Sequence, residues 1–176
     1  MKEVLHQVYS TEEVDKVISG IAEQINRDYE GKELHLICIL RGSVFFCVDL
    51  AKKLTMPVSM DFMAASSYGN EVTSSGQLSI TKDLDDEIEG KHCLIIEDII
   101  DSGNTLKKVK ELLAARNPES LKICTLLDKP SRREVEVKVD YTGFEIPDKF
   151  VVGYGLDYAQ KYRNLPYLAE VEFVEN

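Results

Sequence analysis

The sequence lacks two features, an excess of positive charge and a long apolar run. It has 21 Lys and Arg residues against 31 Asp and Glu residues, a formal net charge of -10. Nucleic acids and anionic membranes are normally bound by a basic face, so this balance argues against both as partners. No apolar run approaches the roughly 18 residues that span a bilayer, and Met1–Leu5 lacks the apolar stretch of a secretion signal. We therefore expect a cytoplasmic protein with a small-molecule ligand.

Cysteine is scarce, and the chain contains no CxxC pair and no histidine at metal-ligand spacing from a cysteine. All four cysteines lie in or beside apolar stretches: Cys38, Cys47, Cys93 and Cys124. Free cysteine usually behaves as a small core residue, so we predict buried, reduced thiols, as is typical of the cytoplasm. The sequence also has no repeat, no low-complexity tract and no composition break. Its 176 residues therefore predict one domain over 1–176, with a core at about 34–157.

Short apolar runs alternate with segments of helical periodicity. Ser10 and Glu13 form a capping-box pattern, which predicts a helix over about 11–29. The further helices are predicted at about 43–54 and 106–115, and the strands at about 34–40, 58–65, 91–97, 121–127 and 149–156. Strands that alternate with helices predict parallel βαβ units and the α/β class. A polar segment rich in Gly and Ser, at about 66–80, is a candidate lid loop.

The segment after the predicted third strand is the most informative for function, because ligands of α/β sheets bind beyond the carboxyl ends of strands. It places three carboxylates before a helix start that contains hydroxyl groups and a glycine: Glu97, Asp98, Asp101, Ser102, Gly103, Asn104 and Thr105. The helix start suits a phosphate, and the carboxylates suit sugar hydroxyls and a hydrated magnesium ion. The alternative is an ordinary helix cap, although three clustered carboxylates repel one another without a cation or ligand.

The chain contains neither GxxxxGK[ST] nor GxGxxG, so a P-loop or a Rossmann dinucleotide site has no support. The string LIIEDIIDSGNTL instead resembles the phosphoribosyl pyrophosphate signature of type I phosphoribosyltransferases, in particular their hypoxanthine-guanine branch. Further segments resemble other parts of that family, and together they cover Leu34 to Arg163. Leu40-Arg41-Gly42 resembles its pyrophosphate loop, and Ser67-Tyr68-Gly69 resembles its mobile loop. Lys129 resembles its purine-contacting lysine, and the string GFEIPDKFVVGYGLDY resembles its base-binding region. The resemblance implies a central, mainly parallel β-sheet flanked by helices, with a small hood formed by terminal segments.

The resemblance also implies a reaction. Purine N9 of hypoxanthine or guanine would attack ribose C1′ of phosphoribosyl pyrophosphate, with Mg²⁺ as cofactor, and pyrophosphate would leave. Asp101 is the implied general base at purine N7, with a helix cap as its alternative role. A cis peptide bond is implied at Leu40-Arg41, and a homodimer or homotetramer is implied for the assembly.

The remaining roles are also carried by the resemblance. The implied phosphoribosyl and 5-phosphate site comprises Glu97, Asp98, Asp101, Ser102, Gly103, Asn104 and Thr105. The implied pyrophosphate site comprises Leu40, Arg41, Gly42 and Arg163. The implied purine site comprises Lys129, Phe150, Val151 and Asp157. The implied metal ligands are Glu97, Asp98 and Asp157, and the implied lid residues are Ser67 and Tyr68. Taken singly, Arg163 could be a surface charge and Phe150 a core aromatic.

The sequence departs from the family pattern at Ser102, Asn104 and Asp128, and an acid beside Lys129 could change how its ammonium is held. Three other functions therefore stay open. They are a non-catalytic phosphoribosyl pyrophosphate sensor, a phosphoacceptor receiver domain, and phosphoribosyl transfer to xanthine or adenine. The retained Asp101 and Lys129 argue against a sensor, and Leu40-Arg41 stands where a receiver domain needs acids.

Overall fold

The structure is a computed structural model that describes residues 1–67 and 77–175. Its helices are α1 (Thr11–Asp28), α2 (Val44–Ala51) and α3 (Asn104–Ala114), with a short 3-10 turn at Pro130–Arg132. Its strands are β1 (Lys2–Tyr9), β2 (Leu34–Ile39), β3 (Val58–Ser67), β4 (Leu78–Lys82), β5 (His92–Ile100), β6 (Ser120–Asp128), β7 (Tyr141–Glu145), β8 (Val151–Val152) and β9 (Leu168–Val174).

The main sheet has six strands in the order β4-β3-β2-β5-β6-β7. Every pairing is parallel except that of β4, which runs antiparallel to β3 at one edge. The helices α1 and α2 pack on one face and α3 on the other, and all six residues of β2 are buried. A central parallel strand is covered on both faces, which explains its continuous apolar sequence. The predicted α/β class with a mainly parallel sheet is confirmed.

A second, antiparallel sheet joins the two ends of the chain in the order β1-β9-β8. It forms the hood that the resemblance implied. The predicted parallel strand over 149–156 is wrong, because only Val151–Val152 is extended there and it pairs antiparallel with β9. The chain then turns at Gly153 and Gly155, whose φ angles are 94° and 98°. Residues around this turn are buried, so the apolar sequence of 149–156 reflects burial and not an extended backbone.

The fifth strand of the parallel series is β7, which the sequence analysis missed together with β1, β4 and β9. The helix α1 begins as predicted, since Ser10 Oγ accepts from Glu13 N at 3.1 Å and Glu13 Oε2 accepts from Ser10 N at 2.8 Å. The strand β5 continues to Ile100, three residues beyond its predicted end at Glu97, so Asp98 also belongs to the strand and not to the turn.

The candidate lid is shorter than predicted, because its first residues up to Ser67 belong to β3 and its last residues from Leu78 belong to β4. Tyr68 lies outside the described residues. All four cysteines are free and buried, as predicted. Among the described residues, no helix is long and apolar enough to cross a membrane.

Candidate active site

The β5–α3 turn forms a small cavity of about 160 Å³ at the start of α3, lined by Glu97, Ile99, Ile100, Asp101, Ser102, Gly103, Thr105 and Leu106. Gly103 occupies the N-cap position with a φ of 84°, and a Cβ there would lie 3.1 Å from Arg133 Cδ. Ser102 Oγ accepts from Asn104 N at 3.3 Å. The first N–H groups of α3 have no intrahelical acceptor, so this cavity can bind an anion of phosphate size.

The edge of the candidate lid reaches this turn. The hydroxyl groups of Ser67, at the end of β3, and Thr105, in the first turn of α3, are hydrogen-bonded. One described lid residue is therefore in direct contact with the predicted phosphate site.

Glu97 and Asp98 form a half-buried pair of like charges at the end of β5. Burial, followed by the charge of Asp98, raises the pKa of Glu97 well above its ordinary value. Burial likewise raises the pKa of Asp98. The hydrogen bond from Asp98 N to Glu97 Oε1, at 3.0 Å, offsets part of this cost. A cation beside the pair would lower both pKa values by favouring the ionised forms.

The β2–α2 loop carries the predicted pyrophosphate residues Leu40, Arg41 and Gly42. The Leu40-Arg41 peptide bond is cis, as the resemblance implied. A Cβ at Gly42 would lie 1.8 Å from Asp98 Oδ2, so only glycine lets this loop approach the acid pair so closely. Arg41 is exposed, and its Nη1 lies 3.5 Å from Gln160 Oε1.

Arg163 approaches the same loop from the hood side. Its Nη1 donates to Gly155 O at 2.7 Å, and its Nη2 lies 3.2 Å from Asp157 Oδ1. Asp157 Oδ2 accepts from Gln160 N at 2.8 Å. Both side chains are largely covered, so Arg163 is not a free surface charge; it forms an ion pair with Asp157, which lines a second cavity.

A second cavity of about 230 Å³ brings together all four predicted purine residues, and its lining is Asp98, Ile99, Asp101, Lys129, Phe150, Val151, Leu156 and Asp157. The side chain of Phe150 is 45% exposed, so it is not a core aromatic. Its ring packs edge-on against Tyr158, with centroids 5.7 Å apart. An exposed, fixed aromatic face beside a cavity can stack on a planar ligand.

Lys129 is 7% exposed, and its ammonium lies between two carboxylates. Its Nζ is 3.8 Å from Asp101 Oδ1 and 3.9 Å from Asp148 Oδ1. Asp128 does not pair with Lys129, because its carboxylate accepts from the guanidinium of Arg133. The same guanidinium donates through Nε to Asp101 O at 3.2 Å.

Sequence reasoning missed Asp148 and Arg133 as neighbours of Lys129 and Asp101. Asp148 lies in the string that carried the resemblance, but its contact with Lys129 arises only when the segment before β8 folds over the end of β6. Arg133 lies in a charged turn, which usually indicates a solvated surface.

The predicted metal ligands are not gathered into one cluster. Asp98 and Asp157 line the second cavity, whereas Glu97 lines the first. Larger cavities of about 470 and 520 Å³ lie at the amino ends of the strands, and neither holds a predicted site residue. The convergence of charged groups, and not cavity size, distinguishes the carboxyl-end site.

Comparison with known proteins decides the family. The family model described as the phosphoribosyl transferase domain matches residues 5–159. This chain belongs to the phosphoribosyltransferase family. Members of the family use a divalent metal ion, and the half-buried acid pair of Glu97 and Asp98 has the oxygen donors and the unbalanced charge that such an ion requires.

Individual phosphoribosyltransferases match nearly the whole chain. The hypoxanthine phosphoribosyltransferase of Salmonella typhimurium is 51% identical over 177 residues, covering 99% of each chain. The hypoxanthine-guanine phosphoribosyltransferase of Bacillus subtilis is 50% identical over 159 residues, covering 90% of this chain and 88% of its own. A crystal structure of a hypoxanthine-guanine phosphoribosyltransferase from Bacillus anthracis is 43% identical and superimposes with a TM-score of 0.92, covering 98% of this chain and 100% of its own.

Proposed function

We propose that this phosphoribosyltransferase transfers the 5-phosphoribosyl group of phosphoribosyl pyrophosphate to N9 of hypoxanthine or guanine, and so salvages purines as IMP or GMP. The observation that carries the proposal is the pairing of Lys129 with Asp101 beside the exposed face of Phe150. Relatives that are about half identical along most of the chain bear the name of this activity.

Lys129 selects the base. Its ammonium has three N–H donors and no acceptor, so it can bind the 6-oxo group of hypoxanthine or guanine but would oppose the amino group of adenine donor to donor. An unpaired buried donor costs about 1–3 kcal/mol. Asp101 and Asp148 flank the ammonium at nearly equal distances, which limits its freedom before the base arrives. Phe150 stacks on the purine, and the backbone of Val151 contacts its edge.

Asp101 acts as the general base. Its carboxylate takes the proton from purine N7 as N9 attacks C1′, and such proton transfer typically contributes about 10²- to 10⁴-fold. The side chain is half exposed and turned toward Lys129, so it lies at the junction of the two cavities. Arg133 fixes the backbone at this residue through the carbonyl group.

The phosphoribosyl donor spans both cavities. Ser102, Gly103, Asn104 and Thr105 bind the 5-phosphate with their hydroxyl and backbone N–H groups, and Glu97 and Asp98 accept from the ribose hydroxyls. The backbone of Leu40 to Gly42, with Arg41 and Arg163, binds the pyrophosphate. The acid pair Glu97 and Asp98, with Asp157 across the second cavity, would hold magnesium, which would supply positive charge to the pyrophosphate leaving group. Ser67, whose hydroxyl group is hydrogen-bonded to that of Thr105, helps to exclude water at the edge of the site, and Tyr68, the second proposed lid residue, lies outside the described residues.

The wider setting belongs to the same proposal. Residues 1–176 act as one domain with the hood, the subunits assemble as a homodimer or homotetramer, and the reduced cysteines fit the cytoplasm.

The test is to incubate the purified protein with phosphoribosyl pyrophosphate, magnesium and each of hypoxanthine, guanine, xanthine and adenine, and to follow nucleotide formation. We expect IMP and GMP and little AMP. The variant Lys129→Gln should lose the preference for 6-oxo bases, whereas Lys138→Gln, at a lysine whose side chain is 81% exposed and lines neither cavity, should keep it. Binding of phosphoribosyl pyrophosphate without turnover of any base would instead identify a sensor.

A further inference from the structure

A group of three side chains at the opposite end of the sheet also has the composition of a metal site. One ring nitrogen of His35 and one carboxylate oxygen each of Asp61 and Asp86 all lie within 4.8 Å of one another. His35 is in β2 and Asp61 in β3, and their positions in the parallel register place both on the face covered by α3. We propose that His35, Asp61 and Asp86 bind a first-row transition-metal dication, with zinc as the representative ion.

His35 supplies an unused ligand atom. The residue is 2% exposed, and its Nδ1 lies 2.6 Å from Ser59 Oγ. Its Nε2 is buried and has no hydrogen-bond partner among the residues that the structure describes. Burial, with the nearby ammonium of Lys91, lowers the pKa of His35, so the ring is neutral near pH 7 despite the charges of Asp61 and Asp86. A neutral imidazole that is fixed through one nitrogen and has a lone pair on the other is the usual form of a metal-binding histidine.

Asp61 holds the segment between β4 and β5 against the sheet. Its Oδ2 accepts from the N–H groups of Asp85 and Asp86, both at 2.9 Å, and its Oδ1 accepts from Phe62 N at 2.8 Å. The carboxylate is therefore fixed, and Oδ1 retains a lone pair. The two backbone bonds bring Asp86 next to His35.

Two acids close to Asp86 in the chain, Asp83 and Asp85, already have cationic partners, which distinguishes Asp86 from them. Asp83 makes two bonds with the guanidinium of Arg116, at 2.8 and 2.7 Å. Asp85 lies 3.4 Å from the ammonium of Lys82, which also donates to two backbone carbonyls. Within the ranges 1–67 and 77–175, Asp86 makes no ion pair. Asp61 and Asp86 thus present two negative charges beside a neutral imidazole, which a dication balances.

The ligand types favour a particular class of ion. One imidazole and two carboxylates suit zinc and its neighbours, whereas magnesium prefers oxygen ligands alone. Tetrahedral zinc bonds of about 2.0–2.1 Å place ligand atoms about 3.4 Å apart, so the separations within the group must shorten by up to about 1.4 Å. Asp86 is exposed and can make that movement, and water completes the coordination.

The consequence of binding is structural. The ion would link β2 and β3 to the segment that leads into β5, whose Ile88 is buried in the core. His35 precedes Leu40 by five residues of extended chain, which corresponds to about 16 Å along the strand. The ion would therefore stabilise the amino end of the sheet and would not contact the candidate active site at the carboxyl ends of the strands. The inference does not depend on the proposed reaction.

The experiment is a zinc titration of the metal-free, full-length protein by calorimetry, with excess magnesium to occupy oxygen-ligand sites. The variants are His35→Gln and Asp86→Asn, and the control is Asp85→Asn, at an acid that pairs with Lys82. We expect the wild type and the control to bind one more zinc ion than the two variants. At free zinc of about 100 times Kd, the folded-to-unfolded ratio should rise about 100-fold. Asp86 is exposed, so its variant is informative even if His35→Gln does not fold.

Nitrogen-15 chemical shifts of the histidine rings provide a direct readout. Zinc should move the Nε2 resonance of His35 in the wild type and in Asp85→Asn, but not in Asp86→Asn at the same concentration. Equal zinc stoichiometry in all four proteins, or an unchanged His35 resonance at saturating zinc, would overturn the proposal.

Discussion

Gly42 provides the sharpest test of how the site is built, because its glycine identity follows from one close approach. A Cβ at this position would lie 1.8 Å from Asp98 Oδ2 and 2.9 Å from Asp98 Cγ. Ordinary contact needs at least about 3.4 Å, so Gly42→Ala must separate the loop from the carboxylate by roughly 1.5 Å. A misplacement of about 1 Å can cost about 100-fold in rate. We expect kcat/KM to fall by about 100-fold or more.

The assay is steady-state kinetics with hypoxanthine and phosphoribosyl pyrophosphate, together with the free energy of unfolding in urea. The matched control is Gly20→Ala in α1, where a Cβ would meet no atom within 4 Å. That variant should keep full activity and gain about 0.5–1 kcal/mol of stability, because alanine is the better helix former. Wild-type kcat/KM in Gly42→Ala would refute the idea that this loop and the acid pair form one unit.

Three further predictions concern the charged groups of the same site. Asp101→Asn should lower kcat by about 10²- to 10⁴-fold while the Kd for phosphoribosyl pyrophosphate changes little, and equal losses in both would assign Asp101 to substrate binding. Lys129→Gln should reduce the discrimination between hypoxanthine and adenine. The free-energy difference, calculated from the ratio of the two kcat/KM values, should fall by about 1–3 kcal/mol. Because the pKa of Glu97 is raised, the metal-free folded state holds its proton more tightly than the unfolded chain, so stability should fall as pH rises above the ordinary glutamate pKa. Urea unfolding between about pH 5 and about pH 8 should show this fall in the wild type and a smaller one in Glu97→Gln, and saturating magnesium should oppose it.

The parts of the fold that could be predicted are those whose cause is local. The start of α1 follows from two side chains three residues apart, Ser10 and Glu13, which bond each other's backbone. The β5–α3 turn is also contiguous, so one stretch of sequence contains both its acids and its helix start. In such segments the residues that interact are neighbours in the chain, and a pattern can reveal them.

The parts that could not be predicted depend on distant partners. Residues 149–156 are as apolar as a central strand, yet they turn sharply because a second sheet and the Gly42 loop cover them. The strand β7 has one buried residue, Tyr141, and its extended form comes from pairing with β6 at the sheet edge. The apolarity of residues 149–156 therefore indicated burial, while the strand assignment in both regions required tertiary contacts.

The candidate site shows the same division. Asp101 could be named from its own segment, but Asp148, which flanks Lys129 from the other side, could not. Its contact depends on the chain between β7 and β8 returning over the end of β6. A charged residue in a loop gives no sign in sequence of the group that it will face.

The net charge of -10 is compatible with a polyphosphate substrate because anion binding here is local. The proposed donors are the N–H groups at the start of α3, the β2–α2 loop, Arg41 and Arg163, so a few oriented groups would provide the positive field. Arg163 is already paired with Asp157, and a pyrophosphate group that engages it must share it with this carboxylate. Removing the negative charge with Asp157→Asn should therefore free the guanidinium for pyrophosphate, while it weakens metal binding by replacing a carboxylate ligand with a neutral amide oxygen. The two effects oppose each other, so the loss of affinity for phosphoribosyl pyrophosphate in this variant should grow as magnesium is raised, and an equal change at all magnesium concentrations would separate Asp157 from the metal.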